Sequence, residues 1–226
     1  MVGAKSWTSV TGVVLAVALL VGGCSSSSGG TGSADGTSGT ASKSLSEDDP
    51  LNTTSTKDMS TVTATVDGAL SPYFHSLPDM CKRIPDSAVA AAGFDVNLGR
   101  QPLQYKEASS IVQSCSFNAA DPDNGDLILT GGAGIAVTNI NDLLNQGIIH
   151  VVQKNIPIGP HQGYTYTSPA QGQLECHLAY GTFFGTALFG AAQKRPSTSQ
   201  PCDEVTKVAR ALYPYIPTRP SEMAHS

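Results

Sequence analysis

The sequence predicts an α+β fold: an antiparallel sheet with N-terminal, middle and C-terminal helices packed on it, and two disulfides. Three observations carry this. The order along the chain reads helix, strands, helix, strands, helix. It includes a two-residue alternation at Leu174, Cys176, Leu178 and Tyr180, and a helical stripe at Cys202, Val205, Ala209 and Leu212. Four cysteines, Cys81, Cys115, Cys176 and Cys202, remain once Cys24 is set aside, and an even count in an exported chain reads as two bridges. About 150 residues follow a long Ser/Gly/Thr-rich stretch, enough for one domain with its own core.

The folded part is expected over residues 70–218. Pro78 and Asp79 open a turn of helix that holds Cys81. Pro85 suits a first helical position, Ala88 to Ala92 favour helix, and Gly93 suits the left-handed residue that closes one. Ile111, Gln113, Cys115 and Phe117 alternate as a strand. Asp121-Pro122-Asp123-Asn124-Gly125 reads as a turn, and Leu127-Ile128-Leu129 begins the next strand. Gly131, Gly132 and Gly134 are expected to break or bulge that strand before Ile135-Ala136-Val137 resumes it.

Asn141 to Gln153 carries Leu144, Ile148 and Val151 or Val152 at helical spacing, which predicts the middle helix despite Gly147. Tyr164 and Tyr166 share one face of a strand. Along the next strand Leu174, Cys176, Leu178 and Tyr180 face in, and Gln173, Glu175 and His177 face out. Phe183 to Phe189 is apolar on both faces, as in a central strand. Pro201 starts the last helix, with Asp203 and Glu204 near its positive end and Lys207 and Arg210 further along. Tyr213-Pro214-Tyr215-Ile216-Pro217 ends it, and residues 219–226 are expected to be a flexible tail.

Ahead of the domain, Lys5 precedes about a dozen uncharged residues, Val10 to Val21, too few to cross a bilayer as a helix. Small residues follow, in the run Leu19-Leu20-Val21-Gly22-Gly23-Cys24. This resembles a bacterial lipoprotein signal, in which a diacylglyceryl group is placed on the cysteine sulfur and the chain is cut just before it. Residues 1–23 are then an export signal, and acyl chains at Cys24 anchor the protein in the cell membrane on its extracytoplasmic face. Residues 24–69, dominated by Ser, Gly and Thr, are expected to be a disordered tether. As a flexible coil its polar part would span on the order of 35–40 Å.

Removing residues 1–23 leaves 12 basic against 18 acidic residues, a net charge of −6. Nucleic acids and anionic headgroups both attract a positive surface, so neither is an expected partner of the domain itself. No cysteine pair has the two-residue spacing of a zinc knuckle or a redox motif. Three disulfide connectivities exist and spacing alone does not choose among them. The favoured one is Cys81–Cys115 with Cys176–Cys202, because each bridge then staples a terminal helix to a neighbouring strand.

Signals for chemistry are sparse. No Gly-x-Ser-x-Gly elbow surrounds a serine, and Gly131-Gly132-Ala133-Gly134 lacks the third spaced glycine of a phosphate loop. His150, His161, His177 and Glu175 show no short ligand spacing, so no metal or other cofactor is expected. Glu175 and His177 share a strand face and form the one acid–base candidate. Among the aromatics, Tyr164, Tyr166 and Phe184 are candidates to line an apolar groove for a lipid or an envelope protein.

Asp79-Met80-Cys81-Lys82-Arg83-Ile84-Pro85 followed by Gly93-Phe94, then Ser114-Cys115-Ser116-Phe117, Cys176 in a late strand and Pro201-Cys202, form a pattern in which order and spacing matter most. It resembles a group of actinobacterial, mostly mycobacterial, lipoproteins that share an uncharacterised extracellular domain. The similarity runs over roughly residues 75–217. The resemblance implies a surface-anchored α+β domain with two disulfides, no assigned activity and no catalytic residues to carry over. The long tether, and Phe117 where that group usually has tryptophan, depart from it. The expectation for function is therefore a non-enzymatic envelope module that binds a ligand or assists a partner. The alternatives are a cell-wall hydrolase or metal-dependent enzyme using Glu175 and His177, and a protein-interaction or structural ectodomain.

Overall fold

The computed structural model describes residues 45–65, 67–106, 111–145, 147–168, 174–194 and 199–223. The signal, Cys24 and the tether up to residue 44 lie outside the described residues. Those described belong to one compact unit, Lys43–Ser226.

Seven strands form one sheet: β1 (Gln101–Lys106), β2 (Ile111–Ala120), β3 (Leu127–Ala136), β4 (His150–Ile158), β5 (His161–Thr167), β6 (Glu175–Thr182) and β7 (Gly185–Gln193). Their order is β1-β2-β3-β7-β6-β5-β4 and every pairing is antiparallel. Two meanders, β1 to β3 and β4 to β7, therefore join along β3 and β7. The helices are α1 (Met80–Arg83), α2 (Asp86–Ala91), α3 (Ile140–Leu144) and α4 (Pro201–Leu212).

Strand pleat assigns the two faces. Cys176, Leu178 and Tyr180 of β6 point with Ala187, Phe189 and Ala191 of β7 and Ala133 and Ile135 of β3 into the main core, under α1, α2 and α4. Helix α4 buries Val205, Val208, Ala209 and Leu212 there, and burial of each larger side chain contributes roughly 1.5–3 kcal/mol. The opposite face carries a smaller cluster of Ile140, Tyr166 and Ala179, packed by Leu143, Leu144, Ile149, Tyr164 and Leu188.

Local chemistry explains most boundaries. Asp79 caps α1, its carboxylate accepting from Cys81 N and Lys82 N. Gly93 sits at φ +93° and closes α2. Asn139 caps α3 through Asn141 N, while its amide donates 2.6 Å to Ala64 O. Arg100 donates to the carbonyls of Cys81 and Ile84 and to Asp86, with its guanidinium 5.8 Å over the Phe117 ring, tying α1 and α2 to the sheet. Both sheet edges are blunted: β1 contains Pro102, and β4 carries register shifts, Pro157 and Asn155 at φ +59°.

Several expectations need correction. The middle helix is only α3, and residues 150–153 belong to β4. Gly147 and the β-branched run Ile148-Ile149-Val151-Val152 favour strand over helix there. The glycine cluster does not break β3, which runs unbroken from 127 to 136. Side chains at Gly131, Gly132 or Gly134 would collide with the neighbouring strands, and the register shift falls at Ala119/Ala120 instead. Phe183 and Phe184 are a two-residue turn between β6 and β7, not strand. Strand β1, mostly exposed, was not expected at all.

The domain also starts earlier and ends later than 70–218. Met59 is fully buried and Ala64 nearly so, and Tyr73 Oη donates to Pro50 O. Met59 N donates to Thr218 O and Ser221 N to Ser55 O, so two polar-looking end segments pair with each other. Arg83 holds the second of them, donating to Tyr215 O and Glu222. Met223 is buried, so the tail packs through at least that residue.

Candidate functional site

Tyr180 lies on the core face of β6 with no exposed surface, and its hydroxyl has no hydrogen-bond partner among the described residues. A buried hydroxyl left unpaired costs about 1–3 kcal/mol. It lines a cavity of about 190 Å³. His161, the first residue of β5, stacks on the Tyr180 ring with centroids 4.1 Å apart and planes 13° from parallel. Neighbouring strands bring the two rings together, and the hairpin before His161 fixes the approach. Gly159 takes φ +58°, and a Cβ there would collide with the Tyr213 ring.

The remaining walls come from both ends of the domain. Asp58 and Ser60 belong to the lining. Tyr213 and Pro214, in the 3₁₀ turn that follows α4, and the segment Ile216-Pro217-Thr218 line it too. The Met59–Thr218 hydrogen bond, at 2.7 Å, joins these two walls. Three prolines, Pro160, Pro214 and Pro217, make the lining stiff and largely apolar.

Burial lowers the His161 imidazole to about 4, against a smaller opposing pull from Asp58, so the ring is neutral near pH 7. Asp58 sits below the ordinary carboxylate range because Ser60 hydrogen-bonds its carboxylate through side chain and backbone, with Arg219 and His161 adding to this. Burial pushes the Tyr180 hydroxyl well above the usual phenol range, with Tyr213 adding to the shift, so it stays protonated. The cavity thus presents a neutral imidazole and, from the exposed Asp58, one carboxylate, while the protonated Tyr180 hydroxyl stays buried behind the ring.

Glu175 and His177 meet as the sequence suggested. His177 Nε2 lies 3.1 Å from Glu175 Oε1, both side chains are mostly buried, and the Tyr166 ring stacks on His177 at 5.2 Å. Burial raises the Tyr166 hydroxyl, with the Glu175 carboxylate adding to this. The face is less solvated than expected, because α3 and its neighbours cover part of it. Neither the Tyr180 cavity nor a more open hollow of about 450 Å³ between β4 and α4 is lined by Glu175 or His177.

The aromatic candidates do not converge. Tyr164 and Tyr166 belong to the smaller cluster, whereas Phe184 is buried in the main core against Phe183. Cys81–Cys115 joins α1 to β2 and Cys176–Cys202 joins β6 to α4, with Cα separations of 4.9 and 5.1 Å. Among the described residues no three His, Cys, Asp or Glu side chains group to hold a metal ion. No described helix is long and apolar enough to cross a membrane.

The cavity residues His161 and Tyr180 escaped the sequence reading as a pair. One signal was available: a tyrosine on an inward stripe needs a partner for its hydroxyl. Nothing local marked Asp58, Ser60 or Thr218.

A seven-stranded antiparallel sheet with a short helical layer and two disulfides defines a small α+β domain. Residues 19–215 match a family described as proteins of unknown function (DUF3558), and the chain belongs to that family. No curated protein and no solved structure matches the chain.

Proposed function

We propose that this protein is a lipid-anchored envelope module of actinobacterial type that binds a small ligand and does not transform it. The observation that carries the reading is the cavity of about 190 Å³ beside the stacked His161 and Tyr180 rings, lined by segments from both ends of the domain. A concave, largely apolar lining with a few polar groups is the usual form of a small-molecule site. The lipoprotein-like signal ending at Cys24, the polar stretch after it and the two disulfides support an extracytoplasmic setting. No nucleophile lines the cavity beside an activated base: Ser60 hydrogen-bonds Asp58, and His161 is too weak a base near pH 7.

The experiment has two readouts. Mass spectrometry of the membrane fraction should find the chain beginning at an acylated Cys24, and Cys24→Ser should move it out of that fraction. Solvent extraction of the protein purified from its host should release a compound that the His161→Ala variant retains less well. An unprocessed, soluble chain would overturn the anchor, and identical extracts from both proteins would overturn the cavity as the binding site.

An enzymatic reading rests on the Glu175–His177 pair alone. A hydrolase would need that pair to face a substrate cleft, so loss of a cell-wall-degrading activity in His177→Gln would favour it.

A further inference from the structure

From the way residues 45–63 are attached, we infer that they form a strap that lifts from the domain as one unit, hinged at Ala64, and carries part of the cavity wall with it. The opening goes beyond the ligand-binding reading and does not depend on it.

Among the described residues, three hydrogen bonds join this segment to the rest of the domain: Met59 N to Thr218 O, Ser221 N to Ser55 O and Tyr73 Oη to Pro50 O. Its ion pair, Lys57 with Asp48, and the bonds made by Ser46, Asn52 and the Ser55 hydroxyl stay within the segment. It holds no helix or strand, and Met59 is its one buried apolar side chain, with Val62 half-buried. Attachment becomes firm at Ala64, whose N donates 2.7 Å to Thr182 O and whose carbonyl accepts from the Asn139 amide at 2.6 Å. The facing segment is held differently. Ile216, Pro220 and Met223 are buried, and Arg83 donates to Tyr215 O and Glu222.

Segments with few buried apolar contacts and few hydrogen bonds open at lower free energy than the core beside them. The strap is therefore the half that moves, and the C-terminal segment is the half that stays. Ser55 and Met59 lie four residues apart on the strap, so withdrawing Met59 from its seat breaks Met59–Thr218 and Ser221–Ser55 together. Asp58 and Ser60 flank Met59 and line the cavity, so they leave its wall in the same step, while His161, Tyr180 and Tyr213 remain. An occupant touching both the strap and the fixed walls would bind only the closed form and so hold the strap down.

Native-state amide hydrogen exchange of the oxidised protein, read residue by residue by NMR, tests this. The amides of Met59 and Ser221 should share one protection factor within about threefold, and it should lie at least about a hundredfold below that of Leu178 and Phe189 in the central strands. Met59→Ala should lower the protection at position 59 and at Ser221 by one common factor of about thirtyfold, the exchange equivalent of losing a buried methionine side chain. Protection at Met59 and Ser221 as high as in the central strands would overturn the inference, because the strap would then open only with the whole domain. So would a Met59→Ala effect confined to position 59, because the strap would not move as a unit. Should that variant fail to fold, the comparison within the unaltered protein still decides between strap opening and global unfolding.

Discussion

Replacing Tyr180 with phenylalanine should make the protein more stable. The ring keeps its place, since its contacts are the stack with His161 at 4.1 Å and the tilted approach to Phe189 at 5.8 Å, and neither involves the hydroxyl. Only the oxygen is removed, and that oxygen is buried and unpaired. Its desolvation is lost from the folded state without the loss of a hydrogen bond, a gain of about 1–2 kcal/mol. For a domain of this size that raises the thermal midpoint by about 3–6 °C. With a urea slope near 2 kcal/mol per M, the urea midpoint should rise by about 0.5–1 M at constant slope. The measurement is equilibrium urea unfolding of the oxidised, ligand-free protein, with Tyr213→Phe as control. Tyr213 is only partly buried and its hydroxyl is not among the buried unpaired ones, so that change should stay within about 0.5 kcal/mol. A midpoint that falls or does not move for Tyr180→Phe would refute the reasoning. It would mean that the hydroxyl is paired in the folded protein.

Further outcomes follow from the same structure. His161 titrates at 6.5 unfolded and about 4 folded, so the unfolded chain binds the proton more readily between those values. Stability is therefore full above pH 6.5 and is lost as pH falls toward 4, by no more than about 1–2 kcal/mol once the ring's partial exposure is allowed for. His161→Gln should flatten that part of a stability–pH profile measured by urea unfolding, and an unchanged slope would count against it. Closing loops of 34 and 26 residues, the two disulfides should each contribute about 3.5–4 kcal/mol in the chain-entropy model. The Cys176→Ser/Cys202→Ser double variant should show that loss in thermal unfolding. Arg100→Ala removes donors to two carbonyls at the end of α1 and should cost about 1–3 kcal/mol, with Arg100→Lys recovering only part of it. Gly159→Ala places a methyl against the Tyr213 ring at a left-handed φ. It should destabilise by about 1–2 kcal/mol, readable in urea unfolding.

Where one period dominates a segment, the chain could be read directly. The alternation at Leu174, Cys176, Leu178 and Tyr180 and the stripe through Cys202, Val205, Ala209 and Leu212 bury all but their first members, Leu174 and Cys202, which are half-buried. The favoured pairing, each bridge stapling a terminal helix to a neighbouring strand, is the one that forms. Reading failed where two periods overlap. Residues 141–153 hold apolar side chains that fit a helix, but Ile148 to Val152 is also a β-branched run, and the sheet takes the part that can pair with β5.

The cavity failed for a different reason. Its floor was legible, since Tyr180 was expected to face inward. Its walls were not, because Asp58 and Thr218 come from stretches without apolar periodicity, so the first reads as tether and the other as the last loop before a tail. They become structure only through pairing with each other, by Met59 N to Thr218 O and Ser221 N to Ser55 O. Such a contact has no signature in either segment. It is favourable once Met59 and Met223 have a core to enter, and that core exists only after the sheet and α4 have formed. The order of dependence runs from sheet, to helix, to paired ends, to cavity. The cavity is thus a property of the completed fold, lined in part by the end segments that look least structured in the sequence.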